Sequence, residues 1–229
     1  MERGVVLKKT LSFIMVAVML IMLVSCTAET EEKPVAVVTV NGETVTQAEI
    51  DYFKGKFKTE LINDYIEKYK IEFTEDFWQK EFDGKTPEEA LYEKALEESI
   101  MVKIQFVLMR EEGIYDDISF DGLYKKAEAF NAENAGKEGV VGIKSINMSQ
   151  FYTYYFQNGV MELKNIYAEG KLKPTQEEID EKINEIIDQY ADDVDKQDYE
   201  SVAKDQLETE KYDAYIAQLR KEAEIKDVK

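Results

Sequence analysis

The stretch from Val35 to Phe53, VAVVTVNGETVTQAEIDYF, constrains the fold more than any other part of the chain. Val35, Val37 and Val40 stand in a β-branched run suited to a strand. Asn41-Gly42 is the dipeptide that tolerates the positive φ angles of a tight hairpin turn. Glu43-Thr44-Val45 is long enough for a short returning strand. Thr46-Gln47-Ala48-Glu49 then fits the capping box, in which the threonine hydroxyl accepts from the third amide on and the glutamate reaches back. Ile50, Phe53, Phe57, Leu61 and Tyr65 follow at helical spacing. A strand, a turn, a second strand and a capped amphipathic helix are written there in one run.

Upstream of that run, residues 1–25 read as an export signal. Arg3, Lys8 and Lys9 supply a positive start, and Leu11 to Ser25 is an uncharged run of fifteen residues. That falls short of the roughly 20 apolar residues a spanning helix needs and suits a signal-peptide core. Leu23-Val24-Ser25-Cys26 matches the bacterial lipobox, in which the cysteine becomes the lipidated first residue after cleavage. The competing reading, an uncleaved anchor with an incidental cysteine, asks for a longer apolar run. Cys26 is the single cysteine, so no internal disulfide can form. Two or more acyl chains on Cys26 would hold the protein firmly at a membrane, which places it lipid-anchored on the extracytoplasmic face. Residues 26–34 form a polar tether and residues 35–229 the folded domain.

Beyond the first helix, expected to run to about Lys70, residues 71–85 form a connector whose Phe73, Phe77, Trp78 and Phe82 should pack on the core. Thr86-Pro87-Glu88-Glu89 is a second capping box, with proline at the first helical position. Its helix should carry Leu91, Ala95, Ile100, Ile104 and Leu108 inward and stop at Gly113. A shorter helix spans residues 118–134, a glycine-rich loop 135–142, and an aromatic-dense helix 148–169. Thr175-Gln176-Glu177-Glu178 opens a further helix with Ile179, Ile183, Ile186, Ile187 and Tyr190 as its stripe. A charged break at residues 192–198 precedes the last helix, 199–224. The class is mainly α with a minimal sheet.

Whole classes of chemistry are excluded. The chain has no histidine, so Ser-His-Asp and Cys-His catalysis and His-based metal sites are absent. No GxxxxGK[ST] or strand-borne GxGxxG is present to hold a nucleotide, and no cofactor is expected. A net charge of −19 repels nucleic acid and anionic lipid.

Two stretches suggest sites. Asp117, Ser119, Asp121, Gly122 and Glu128 match an EF-hand loop at positions 1, 3, 5, 6 and 12. Lys125 at the ninth position, Tyr124 at the eighth and the weak ligand Ser119 weigh against calcium. The other reading makes Ser119 or Asp117 a helix cap, with Asp121 in the first turn where the helix dipole favours it. The aromatic run supplies Phe151, Tyr152, Tyr154 and Tyr155 as candidates for binding unfolded segments, since such rings offer large contact area at low entropy cost. Successive aromatics on a helix cannot all face outward, so part of this set belongs to the core.

The strand ending in Val-Asn-Gly, followed by Thr46 and Glu49 opening a long helix, resembles the start of the SurA/PrsA-type foldases, relatives of the trigger-factor chaperone domain. The resemblance implies that Ile225–Val228 pairs back with Val35–Val40. It also implies a parvulin prolyl-isomerase domain between the helices that resemble 175–189 and 199–224. Here only residues 190–198 occupy that interval, so the parvulin unit looks excised and no isomerase activity is expected. The function implied is a helical, nucleotide-independent chaperone for unfolded exported polypeptides. The alternatives are an adaptor lipoprotein holding one folded partner, or an active isomerase.

Overall fold

The computed structural model describes residues 35–135, 145–190 and 196–228. The signal segment, Cys26, the tether, nearly all of the glycine-rich loop and much of the charged break lie outside the described residues. Strand β1 (Ala36–Val40) turns into β2 (Glu43–Thr46), and six helices follow: α1 (Gln47–Tyr69), α2 (Pro87–Glu111), α3 (Phe120–Asn134), α4 (Met148–Glu169), α5 (Gln176–Tyr190) and α6 (Lys196–Glu222). Strand β3 (Ile225–Asp227) ends the described chain. The protein is mainly helical with one small antiparallel sheet, in the order β2-β1-β3.

The hairpin forms as its dipeptide dictates. Asn41 and Gly42 have φ of +52° and +88°, the two positive angles that match the twist of the flanking strands. Val40 then faces Glu43 and Val38 faces Val45, with all three valines buried. On its other edge β1 pairs with β3, Val40 opposite Ile225 and Val38 opposite Asp227. Asn41 also clamps this closure. Its amide donates to the Glu224 carbonyl at 2.9 Å, and its Oδ1 accepts from the Glu224 amide at 2.9 Å.

Thr46 caps α1 as expected, with the Glu49 carboxylate accepting from the Thr46 amide at 2.8 Å. The sequence gives no sign of the second task of Glu49. Its other oxygen meets Lys103 Nζ of α2 at 2.8 Å, with the two side chains only 2% and 3% exposed. Two charges out of water need each other, because an unpaired buried ion costs several kcal/mol.

Helix α2 is the axle of the body. Ile100, Val102, Lys103, Ile104 and Phe106 are all buried, so this half of the helix is covered on every side rather than along one stripe. Around it lie the sheet, α1, α4 and the C-terminal half of α6, sharing one core with Ile50, Phe53, Leu163, Tyr167, Tyr212 and Ile216. Gly159 lets α4 approach closely, since a Cβ there would stand 2.5 Å from Met109 Sδ and 2.7 Å from the Tyr115 ring. The connector meets its expectation in part. Phe77 and Phe82 are buried against Tyr65 of α1, whereas Phe73 is 52% exposed because its segment runs past the end of α1.

The remaining piece is a helical arm. Ile179, Ile183 and Ile186 of α5 meet Ala203 and Leu207 of α6 in a small core of their own. The Thr175–Glu178 capping box begins the arm, and Lys211 reaches the Glu178 carboxylate at 2.7 Å. That ammonium, and then the Thr175 amide, hold the Glu178 carboxyl down to about 2. Helix α6 begins at Lys196, three residues earlier than its periodicity suggests, so it takes up part of the expected break. Its far end is tied to the body by a bidentate Arg220–Glu97 pair and by the Tyr212 hydroxyl on Gln105.

Two substitutions test this construction. Lys103→Ala strands Glu49 in the core and should lower stability by about 3–5 kcal/mol in urea unfolding, while a Glu49→Leu/Lys103→Met double variant recovers most of that loss. Asn41→Gly keeps the turn angles but removes the side-chain half of the clamp. It should lower stability by roughly 1 kcal/mol; an unchanged unfolding midpoint contradicts the clamp.

Candidate functional site

The aromatic helix separates its side chains by their angle around the axis. Tyr152 is buried among Phe53, Phe106 and Phe120, with ring centroids 5.7–6.1 Å away. Burial first, and then nearby Glu49, push its hydroxyl well above the usual tyrosine range. Phe151 is buried in a satellite core with Ala127 and Ile146. Tyr155, half-buried, stacks on Tyr115 at 3.9 Å and accepts from Lys126 at 2.6 Å. Tyr154 points away from all of these and is 58% exposed. As client-binding candidates, Phe151 and Tyr152 are therefore corrected to core residues, and Tyr155 is committed to its own neighbours. Only Tyr154 of the four presents a free face.

The acidic loop resolves as a helix start. Ser119 Oγ accepts from the Gly122 amide at 3.0 Å and caps α3, while Asp117 accepts from both the amide and the hydroxyl of Ser119. Asp121 sits in the first turn and pairs with Lys125 at 2.9 Å. Among the described residues no group of three or more acidic, histidine or cysteine side chains is gathered to hold a metal. Asp117, Ser119 and Asp121 form the capped start of α3, and Glu128 lies exposed two turns further along the same helix.

The concave surface lies one turn beyond the aromatic cluster, where α4 faces α6 at the root of the arm. An open groove of about 390 Å³ is lined on the α4 side by Phe156, Val160, Met161 and Lys164, and on the α6 side by Asp205 and Glu208. A second groove of about 420 Å³, beside Val202 and Gln206, adjoins it through the shared Asp205 and Thr209. Met161 is 61% and Val202 44% exposed. Tyr154 stands seven residues before Met161, two turns away on the same face. Lys164 leans on the Tyr212 ring, 5.0 Å from its centroid, and Glu208 is 3.6 Å from Lys204. Asp205, exposed and common to both grooves, has no ion-pair partner among the described residues.

A further open groove, of about 370 Å³, sits beside Trp78 and is lined by Lys54, Lys58, Glu88 and Leu91. The Lys58 ammonium lies 5.5 Å from the Trp78 ring centroid, so that aromatic face is already engaged. The α4–α6 groove is the more apolar and the less occupied of the two. Its α4 side is largely apolar and its α6 side carries carboxylates. Sequence reading misses it because Val160, Met161 and Val202 belong to two helices far apart in the chain. A helical wheel of α4 carries a partial signal, since Tyr154 and Met161 share the face opposite Tyr152. Among the described residues, no helix is long and apolar enough to cross a membrane.

Comparison with protein-family models and with curated proteins finds no match to this chain.

The division between core and surface rings has a direct check. Phe151→Ala should lower stability by about 3–5 kcal/mol, as deletion of a buried aromatic does. Tyr154→Ala and Met161→Ser should each stay within about 0.5 kcal/mol of the parent. Equal losses at all three positions, read from urea unfolding, would contradict the assignment.

Proposed function

We propose that this chain is a membrane-anchored, extracytoplasmic lipoprotein chaperone of the SurA/PrsA type, without an isomerase module, that holds unfolded exported polypeptides. The observation that carries the reading is the open groove between α4 and α6, with Val160 and Met161 as an apolar floor beneath an arm that supplies its own core. Met161 on α4 and Val202 on α6 leave large apolar side chains in solvent where they line the adjoining grooves, as a surface for apolar partners does. Several weak apolar contacts spread along a groove allow binding and release without nucleotide hydrolysis.

Three further features support it. The lipobox ending in Cys26 provides an export and anchoring route. The pairing of β1 with β3 joins the two ends of the fold as the family resemblance implies. Between α5 and α6 only residues 191–195 remain, in the interval where the resembled family carries its parvulin domain. With no histidine in the chain, the reading is binding without prolyl-isomerase catalysis, and Cys26 through its lipid is the membrane contact.

The test is suppression of client aggregation by the purified protein. Stoichiometric amounts should suppress light scattering from several chemically denatured clients, and a Met161→Ser/Val202→Ser variant should lose most of that effect while unfolding at the parental midpoint. Absence of suppression across all clients, or full suppression by the variant, contradicts the proposal.

A further inference from the structure

The charge of the chain is unevenly placed. Residues 176–210, which span α5, the segment 191–195 and the first half of α6, hold fourteen acidic and three basic side chains, a net −11 of the chain's −19. Two of the three cations there have carboxylate partners among the described residues. Lys182 meets Glu185 at 2.8 Å and Glu210 at 3.1 Å, and Lys204 faces Glu208. Asp205, where the two grooves meet, forms no ion pair among the described residues, and with Glu208 it outnumbers Lys164, the one cation of the first groove's lining. Met161 and Val202, both exposed, line these grooves.

We propose that the α4–α6 groove selects unfolded segments in which lysine or arginine stands beside apolar residues. The inference rests on the chaperone reading and adds its client class. Apolar side chains of the client would lie on Val160 and Met161, and its cations would face Asp205 and the arm. A field of this sign raises the local concentration of cationic segments and speeds their encounter. The same field opposes other occupants. Nucleic acid is repelled, and a second copy would bring its own −11 arm against the first. Acidic clients would meet like charge across a groove only partly screened at physiological salt, where the Debye length is about 8 Å.

The experiment measures binding of three dye-labelled peptides to the purified protein by fluorescence anisotropy. The peptides share one apolar core and carry flanking lysines, serines or glutamates. The lysine peptide should bind about tenfold more tightly than the serine peptide at low salt, and the glutamate peptide most weakly, with the differences shrinking as salt rises. Asp205→Asn/Glu208→Gln should weaken the lysine peptide selectively, and Met161→Ser should weaken all three. Equal binding of the lysine and serine peptides overturns the selectivity and leaves the chaperone reading standing. A lysine preference untouched by Met161→Ser overturns it too, because the attraction then belongs to the acidic arm alone. If none of the peptides binds, the selectivity and the client reading fall together.

Discussion

The fold turns on one buried charge. Lys103 lies on the most enclosed part of α2, where an ammonium without a partner would not be tolerated. Glu49 answers it, and Glu49 can do so only because the Thr46 capping box has fixed both its backbone and one of its two oxygens. Thr46 in turn is the last residue of β2. Hairpin, first helix and central helix are thereby locked in register through a single carboxylate. Pairs of this kind add little to net stability compared with apolar replacements, but they penalise a shifted register heavily. A slip of α1 along α2 would strand both charges.

From that fixed centre the remaining geometry follows. The C-terminal half of α6 packs on α2, and β3 closes on β1 with Asn41 as the clamp. The N-terminal half of α6 runs on beyond the shared core and is stabilised by α5 instead. The arm therefore satisfies its apolar stripe without collapsing onto α4. That division keeps the groove open at no expense to the main core. It also explains how an acidic pair of helices is tolerated: Asp180, Glu181, Glu185 and Asp188 of α5 face solvent while the isoleucine seam holds the two helices together.

Much of this was legible in the residues. The Asn-Gly turn and the capping boxes at Thr46, Thr86 and Thr175 appear where their local chemistry puts them, whereas the closing strand at Ile225 was expected from the family resemblance alone. The turn and the caps are short-range signals, written within a few residues of the element they start or stop. The Glu49–Lys103 pair was not legible, because nothing local marks which lysine on α2 will be enclosed. Periodicity required part of the aromatic run to be core but did not single out Phe151 and Tyr152. It shows that aromatic residues share faces but not which face meets the core, and the conspicuous rings proved to be packing. The groove was hidden for a related reason. Its floor is made of the less conspicuous Val160 and Met161, and its wall comes from a helix some forty residues on, so the site exists only once α6 returns across α4.

The central claim is that unfolded polypeptide rests in the α4–α6 groove. Site-specific photocrosslinking tests it most directly, with a photoreactive side chain placed at Met161, at Val202 or, as a comparison, at the exposed Phe73 on the connector. The account predicts that a denatured client crosslinks strongly from positions 161 and 202 and weakly from 73, with the signal lost once the client has folded. Equal crosslinking from all three positions, or labelling from 73 alone, would contradict it.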